Sequence, residues 1–146
     1  MGRLTGVIAD FVNPTRNGRK YSEKLWEHVF NDPIMQEKIK NRCCFGELGH
    51  PADRTEVDME KIALCLAEVP KKGKDGKLHG IFDILDTPAG RILKAMYEGG
   101  AGIYVSTRAA GRLKPIPNDP VNRLVDSDSY YLSGIDCVLN PGFLQA

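Results

Sequence analysis

The chain is short of several things. Its 146 residues include three histidines, one tryptophan and four cysteines. Charge of one sign is missing too. The 20 basic residues offset 19 acidic ones to a net +1, so no global field points to nucleic acid or an anionic membrane. No apolar run approaches the ~20 residues that span a bilayer, and residues 1–15 lack a secretory layout. A cytoplasmic protein with no membrane or nucleic-acid partner is therefore expected. Cys43, Cys44, Cys65 and Cys137 form no CxxC pair, and adjacent Cys43 and Cys44 cannot readily share one structural zinc. Reduced core thiols follow, with no metal and no cofactor expected.

What is present suffices for a packed core. The chain is 42% hydrophobic and 27% charged, which suits a single domain spanning 1–146 without disorder. Residues 3–12 are rich in β-branched and aromatic side chains and predict a strand, closed by the turn-forming Asn13 to Gly18. Ser22 reads as a helix N-cap, and Leu25, Trp26, Val29 and Phe30 form an apolar stripe behind it. A second short helix over 33–40 should turn Ile34, Met35 and Ile39 inward. The alternation around Leu64 and Phe82 predicts a β-hairpin over about 60–85. Thr87 and Pro88 open a third helix with Ile92, Leu93, Met96 and Tyr97 inward, and Gly99-Gly100 ends it. Pro115, Pro117 and Pro120 predict an exposed loop over 114–120. Closing strands follow at 121–125 and 130–139. The strands are not interleaved with crossover helices. The expected class is α+β: a mainly antiparallel β-barrel of about six or seven strands with two or three peripheral helices.

Two short stretches hold the chemistry. Phe45-Gly46-Glu47-Leu48-Gly49-His50-Pro51 presents an imidazole beside a rigid turn, since Pro51 pushes His50 toward extended geometry. Tyr104-Val105-Ser106-Thr107-Arg108-Ala109-Ala110-Gly111 presents a hydroxyl where an apolar strand meets small residues. A serine hydroxyl is a weak nucleophile until a positioned base takes its proton, and histidine suits that task near neutral pH. His28 and His79 read as a helix-surface and a strand residue without chemistry. A turn histidine with no role, or a thiol at Cys43 or Cys44 working with His50, are the competing readings.

These stretches carry a resemblance. The Gly46 to Pro51 segment, Val105 to Gly111, and the late Gly134-Ile135-Asp136-Cys137-Val138 occur in the order seen in prohead (capsid maturation) proteases of tailed bacteriophages. The lead-in from Asn13 to Tyr21 is similar as well. That family looks related to the herpesvirus assemblins and shares their herpesvirus-protease-like fold. The resemblance implies a serine endopeptidase with Ser106 as nucleophile and His50 as general base. Thr107 stands where many relatives have a second serine, and Ala109 where glycine is common. Arg108, Ala109 and Gly111 are the expected oxyanion and loop-support residues, with backbone amides from 108 to 111 in a tight turn. Asp136, a lone carboxylate in an apolar strand, is the preferred third member; Glu47, Asp126 and Asp128 are its rivals.

The implied partners are phage scaffold and core proteins, the major capsid protein precursor and the protease itself. The implied place is the assembling procapsid in the host cytoplasm. Assemblins are switched on by dimerisation, so a homodimer or higher oligomer is a further expectation. Relatives often cut after an acidic residue, for which Arg42, Arg54, Arg108 and Arg112 are candidate partners. Relatives often carry a longer carboxy-terminal tail that is removed, which makes Ala146 an expected processed or engineered end. The alternative function is a catalytically silent assembly scaffold retaining the fold.

Overall fold

The computed structural model describes residues 2–15, 18–51, 54–127 and 129–139. Its largest sheet is built on two long strands, β1 (Gly2–Asp10) and β6 (Lys77–Ile84), paired antiparallel from Gly2↔Ile84 to Asp10↔Lys77. Along β6, Leu78, Gly80, Phe82 and Ile84 face the core, the period of two that the sequence predicts. The predicted hairpin forms: β4 (Ile62–Leu66) pairs antiparallel with β6 at Leu64↔Ile84. β3 (Phe45–Glu47) adds to the far side of β4, and the short β5 (Lys71–Lys72) adds to β6.

Among the described residues three α-helices pack around this sheet. In α1 (Glu23–Asn31), Ser22 accepts from the Leu25 amide, and Leu25, Trp26, Val29 and Phe30 are buried as predicted. In α2 (Pro33–Lys40), Ile39 is buried, but Ile34 is 77% exposed, contrary to expectation. At ~100° per residue, Ile34 lies about 140° around the helix from Ile39, so an eight-residue helix cannot bury both on one face. In α3 (Pro88–Glu98), Thr87 accepts from the Gly90 amide and Leu93 is buried. Ile92 and Tyr97 are exposed instead of inward. The close approach comes in the first turn, where a Cβ on Gly90 would lie 1.8 Å from the Leu85 carbonyl oxygen. That face, not the longer apolar stripe, is covered by β4.

The rest is a ribbon and a hairpin. β7 (Tyr104–Ala110) and β10 (Tyr131–Val138) pair antiparallel, and β8 (Leu113–Ile116) pairs with β9 (Asp119–Val125). β2 (Arg19–Lys20) lies parallel to β9. The proline-bearing segment is thus a hairpin and not the predicted open loop. Pro115 is tolerated because β8 is an edge strand. The class is α+β, with three α-helices and mainly antiparallel strands among the described residues. Among the described residues the ladders remain three separate sheets and do not close edge to edge into the expected barrel. They share one buried cluster, which includes Ile8, Leu25, Leu64, Phe82, Leu93, Val105 and Ile135.

Candidate active site

The site depends on how closely β3 crosses β10. A Cβ on Gly46 would lie 1.8 Å from the Ile135 carbonyl oxygen, and one on Gly134 would lie 2.4 Å from that of Phe45. Both contacts are with backbone, so neither can be relieved by a side-chain turn. Beyond β3, Leu48 bridges Cys137, and the Gly49 amide donates to the Cys137 carbonyl at 2.7 Å. Gly49 has φ +79°, the left-handed region that favours glycine. The chain is thereby strapped to β10 immediately before His50. Gly46→Ala is expected to push β3 off β10, lowering both the melting temperature and the activity. Unchanged values for both would show that the crossing is looser than this packing implies.

Strapping places His50 against Asp136, their Nδ1 and Oδ2 atoms 2.7 Å apart. The Asp136 carboxylate is fully buried, while the His50 side chain is 39% exposed. An ionised carboxylate only accepts, so Nδ1 carries the proton and Nε2 is left to accept. Asp136 Oδ1 also accepts from the Glu47 amide at 2.8 Å. Arg108 reaches the same carboxylate with two prongs, Nε to Oδ2 and Nη2 to Oδ1, both at 2.9 Å. Its Nη1 donates to Glu47 Oε2 at 2.7 Å and to the Glu56 carbonyl at 3.0 Å.

Ser106 sits directly across the ribbon from Asp136 in the β7–β10 register. Directly opposed residues of an antiparallel pair project to the same face, which puts the half-buried serine beside the His50–Asp136 pair. Arg108, two residues on, shares that face. Ser106 therefore lies inside a strand and not at the end of one. Arg108 and Ala109 are likewise paired within β7, opposite Gly134 and Leu132, and form no tight turn. The run Tyr104-Val105-Ser106-Thr107 continues the strand because β-branched and aromatic residues suit it. Gly111 follows the strand and packs against Tyr130. The amides from 108 to 110 thus lie in a strand and not in the expected tight turn.

The other predicted residues fall elsewhere. Glu47 is 2% exposed and bonded to Arg54, Arg108 and the Asp58 amide, so its carboxylate is engaged away from His50. Asp126 pairs with Arg112 and Lys114. Asp128 lies outside the described residues, as does Ala146. Arg42, Arg54, Arg108 and Arg112 are each paired with an acid, which weakens the case for any of them as a basic specificity pocket. Cys43 is exposed and not a core thiol, whereas Cys44, Cys65 and Cys137 are buried. Burial pushes the Cys44 thiol up to about 11, the opposite of an activated nucleophile. Among the described residues no group of three or more His, Cys, Asp or Glu side chains is placed to hold a metal. An apolar cavity of about 300 Å³ adjoins the site, lined by Leu48, Gly49, Met96, Ile103, Val138 and Leu139, with Cys137 at its wall.

The clamp on Glu47 was not visible from sequence. Arg54 grips both Glu47 oxygens at 2.7 Å from seven residues along the chain, with no local pattern to announce it. The Arg54 hydrogen bonds foremost, then the Asp58 amide and Arg108, outweigh burial and hold the Glu47 carboxyl at about 2, against 4.5 ordinarily. A depressed carboxylate stabilises the fold above its unfolded value and loses that contribution as pH falls through the folded one. Stability should therefore decline between about pH 4.5 and 2. In Glu47→Gln, which is less stable at neutral pH, this part of the decline should be shallower. Denaturant unfolding across that range checks it.

No curated protein matches the chain. The structure is similar to that of the bacteriophage T4 capsid assembly protease, with a TM-score of 0.80 and 24% identity, covering 94% of this chain and 81% of that one. At that identity the likeness speaks for the fold. Residues 4–146 match the family described as prohead core protein serine protease. With nearly the whole chain matched, and a serine, a histidine and a buried aspartate converging on one strand ribbon, the chain belongs to the prohead core serine proteases.

Proposed function

We propose that Ser106 is the nucleophile, His50 its general base and Asp136 the group that orients the imidazole. The observation that carries this is the 2.7 Å His50–Asp136 contact with Ser106 directly opposite Asp136. The Ser106 hydroxyl passes its proton to His50 Nε2 as the oxygen attacks the peptide carbonyl. The same proton then goes to the leaving amine, which frees the acyl-enzyme for hydrolysis. Buried Asp136 keeps the Nδ1 tautomer and balances the imidazolium formed in between. The half-exposed His50 leaves room for a peptide, and the neighbouring apolar cavity offers space for one of its side chains.

The substrates on this reading are phage scaffold or core proteins and the capsid precursor, together with the protease itself, cut inside a procapsid in the host cell. The family and the capsid-assembly role named for the T4 protein support this. We read residues 1–146 as one protease domain whose three ladders correspond to a barrel opened between sheets. The test is co-expression with the phage's own scaffold protein, with products read by intact mass. Processing by wild type but not by Ser106→Ala or His50→Ala is expected. Equal processing by the mutants would refute the pair and return Cys43 or Cys44 to consideration. A wild type that leaves the scaffold intact and fails to react with a fluorophosphonate would favour the silent assembly scaffold.

A further inference from the structure

Beyond the three proposed catalytic groups, the site continues inward as a line of paired side chains: His50, Asp136, Arg108, Glu47, Arg54. The middle three are almost inaccessible to solvent. A row of charges at this depth is costly to bury, and apolar residues of similar volume often serve stability as well or better. Glu47 also meets Asp136 from two directions. Its amide donates to Oδ1, and its carboxylate fixes the guanidinium that grips both oxygens.

We propose that Glu47 and Arg54 are positioning residues. Together they lock Arg108 in its two-pronged hold on Asp136, and their opposite charges set the pH below which His50 stops serving as a base. This rests on the assignment of His50 and Asp136 made above. Among the described residues, the charged groups linked to the imidazole by this line are Asp136 from β10, Arg108 from β7, Glu47 from β3 and Arg54 from the segment that follows, with Cys137 next to Asp136 on β10. Cys137 is a neutral thiol, pushed up to about 11 chiefly by burial. With both carboxylates ionised and both arginines protonated, the four charges cancel. Loss of the Arg54 charge leaves the line net negative and favours a proton on His50. Loss of the Glu47 charge leaves it net positive and does the reverse. A purely structural role predicts no such opposition, because either change loosens the same contacts.

The test measures the rate at which a fluorophosphonate labels the full chain, as a function of pH. The variants are Glu47→Gln, Arg54→Gln, Arg54→Lys and the double Glu47→Gln/Arg54→Gln. The acid limb should move up by about 0.5–1 pH unit in Arg54→Gln and down by a similar amount in Glu47→Gln. It should return close to wild type in the double variant and stay there in Arg54→Lys. Should Glu47→Gln fail to fold, Arg54→Gln against Arg54→Lys decides the matter. Limbs that stay in place, or move the same way in both single variants, overturn the proposal. Labelling that persists in Ser106→Ala would instead overturn the nucleophile assignment, a separate failure.

Discussion

Asparagine in place of Asp136 is expected to slow substrate cleavage by about 10,000-fold, measured as kcat/KM on a peptide cut by the wild type. The reason lies in the four partners of the carboxylate. His50 Nδ1, Arg108 Nε, Arg108 Nη2 and the Glu47 amide all donate to it. Asparagine supplies one acceptor oxygen and one amino group, so some donor must face another donor. If the amino group faces His50, the imidazole must present a bare Nδ1 and carry its proton on Nε2, the nitrogen that has to receive the Ser106 proton. If it faces β3, it opposes both the Glu47 amide and Arg108 Nη2 and pushes the histidine strap outward. Asp126→Asn serves as the comparison, since Asp126 pairs with the exposed Arg112 and Lys114, and it should change kcat/KM little. A folded Asp136→Asn enzyme retaining a tenth of wild-type kcat/KM would remove Asp136 from the mechanism.

Arg108→Leu is expected to lower stability by about 3–5 kcal/mol, since it strands buried carboxylates on two strands at once. Asp136 loses two donors, and Glu47 and the Glu56 carbonyl lose one each. For a chain of this length the melting temperature should fall by about 10 °C or more. Arg108→Lys should recover less than half of the loss, because an ammonium cannot span both Asp136 oxygens and Glu47 in one plane. Arg3 and Arg42 provide the contrast. They meet at Asp83 in good geometry, but they are 63% and 51% exposed, and their replacement should barely move the melting curve. Calorimetry of the three leucine variants side by side checks both halves. Equal losses would mean that the depth of the Arg108 network contributes nothing special.

Much of the secondary structure was legible because it rests on local rules. The Ser22 and Thr87 caps, the alternation along 77–84 and the Gly99-Gly100 stop all act within a few residues. The misjudged helix faces of Ile34, Ile92 and Tyr97 have a different origin. Periodicity reports which residues could be buried, whereas the neighbouring element decides which are. Pro115 and Pro120 suggested an open loop, yet the edge position of β8 excuses the missing amide of Pro115, and Pro120 has no partner in either ladder of β9. Ser106 looked like a strand end because the small residues after it mimic a turn; pairing with β10 carries the strand on to Ala110. At the site, His50, Ser106 and Asp136 were legible as residues worth naming. The Arg108–Glu47–Arg54 line was not, because it joins β3, β7 and Arg54 through contacts that exist only once those segments meet.

The spread of the site along the chain has a temporal consequence. On the proposed assignment, the base follows β3, the nucleophile lies on β7 and the orienting acid lies on β10. A growing polypeptide that has left the ribosome only as far as β9 holds the serine and the histidine, but it lacks both Asp136 and the carbonyl to which Gly49 is tied. Synthesis proceeds from the amino end, so the cutting apparatus cannot assemble until the Asp136 strand emerges and docks. On that assignment, half-made copies crowded on one messenger lack the means to digest one another until a chain has folded through β10.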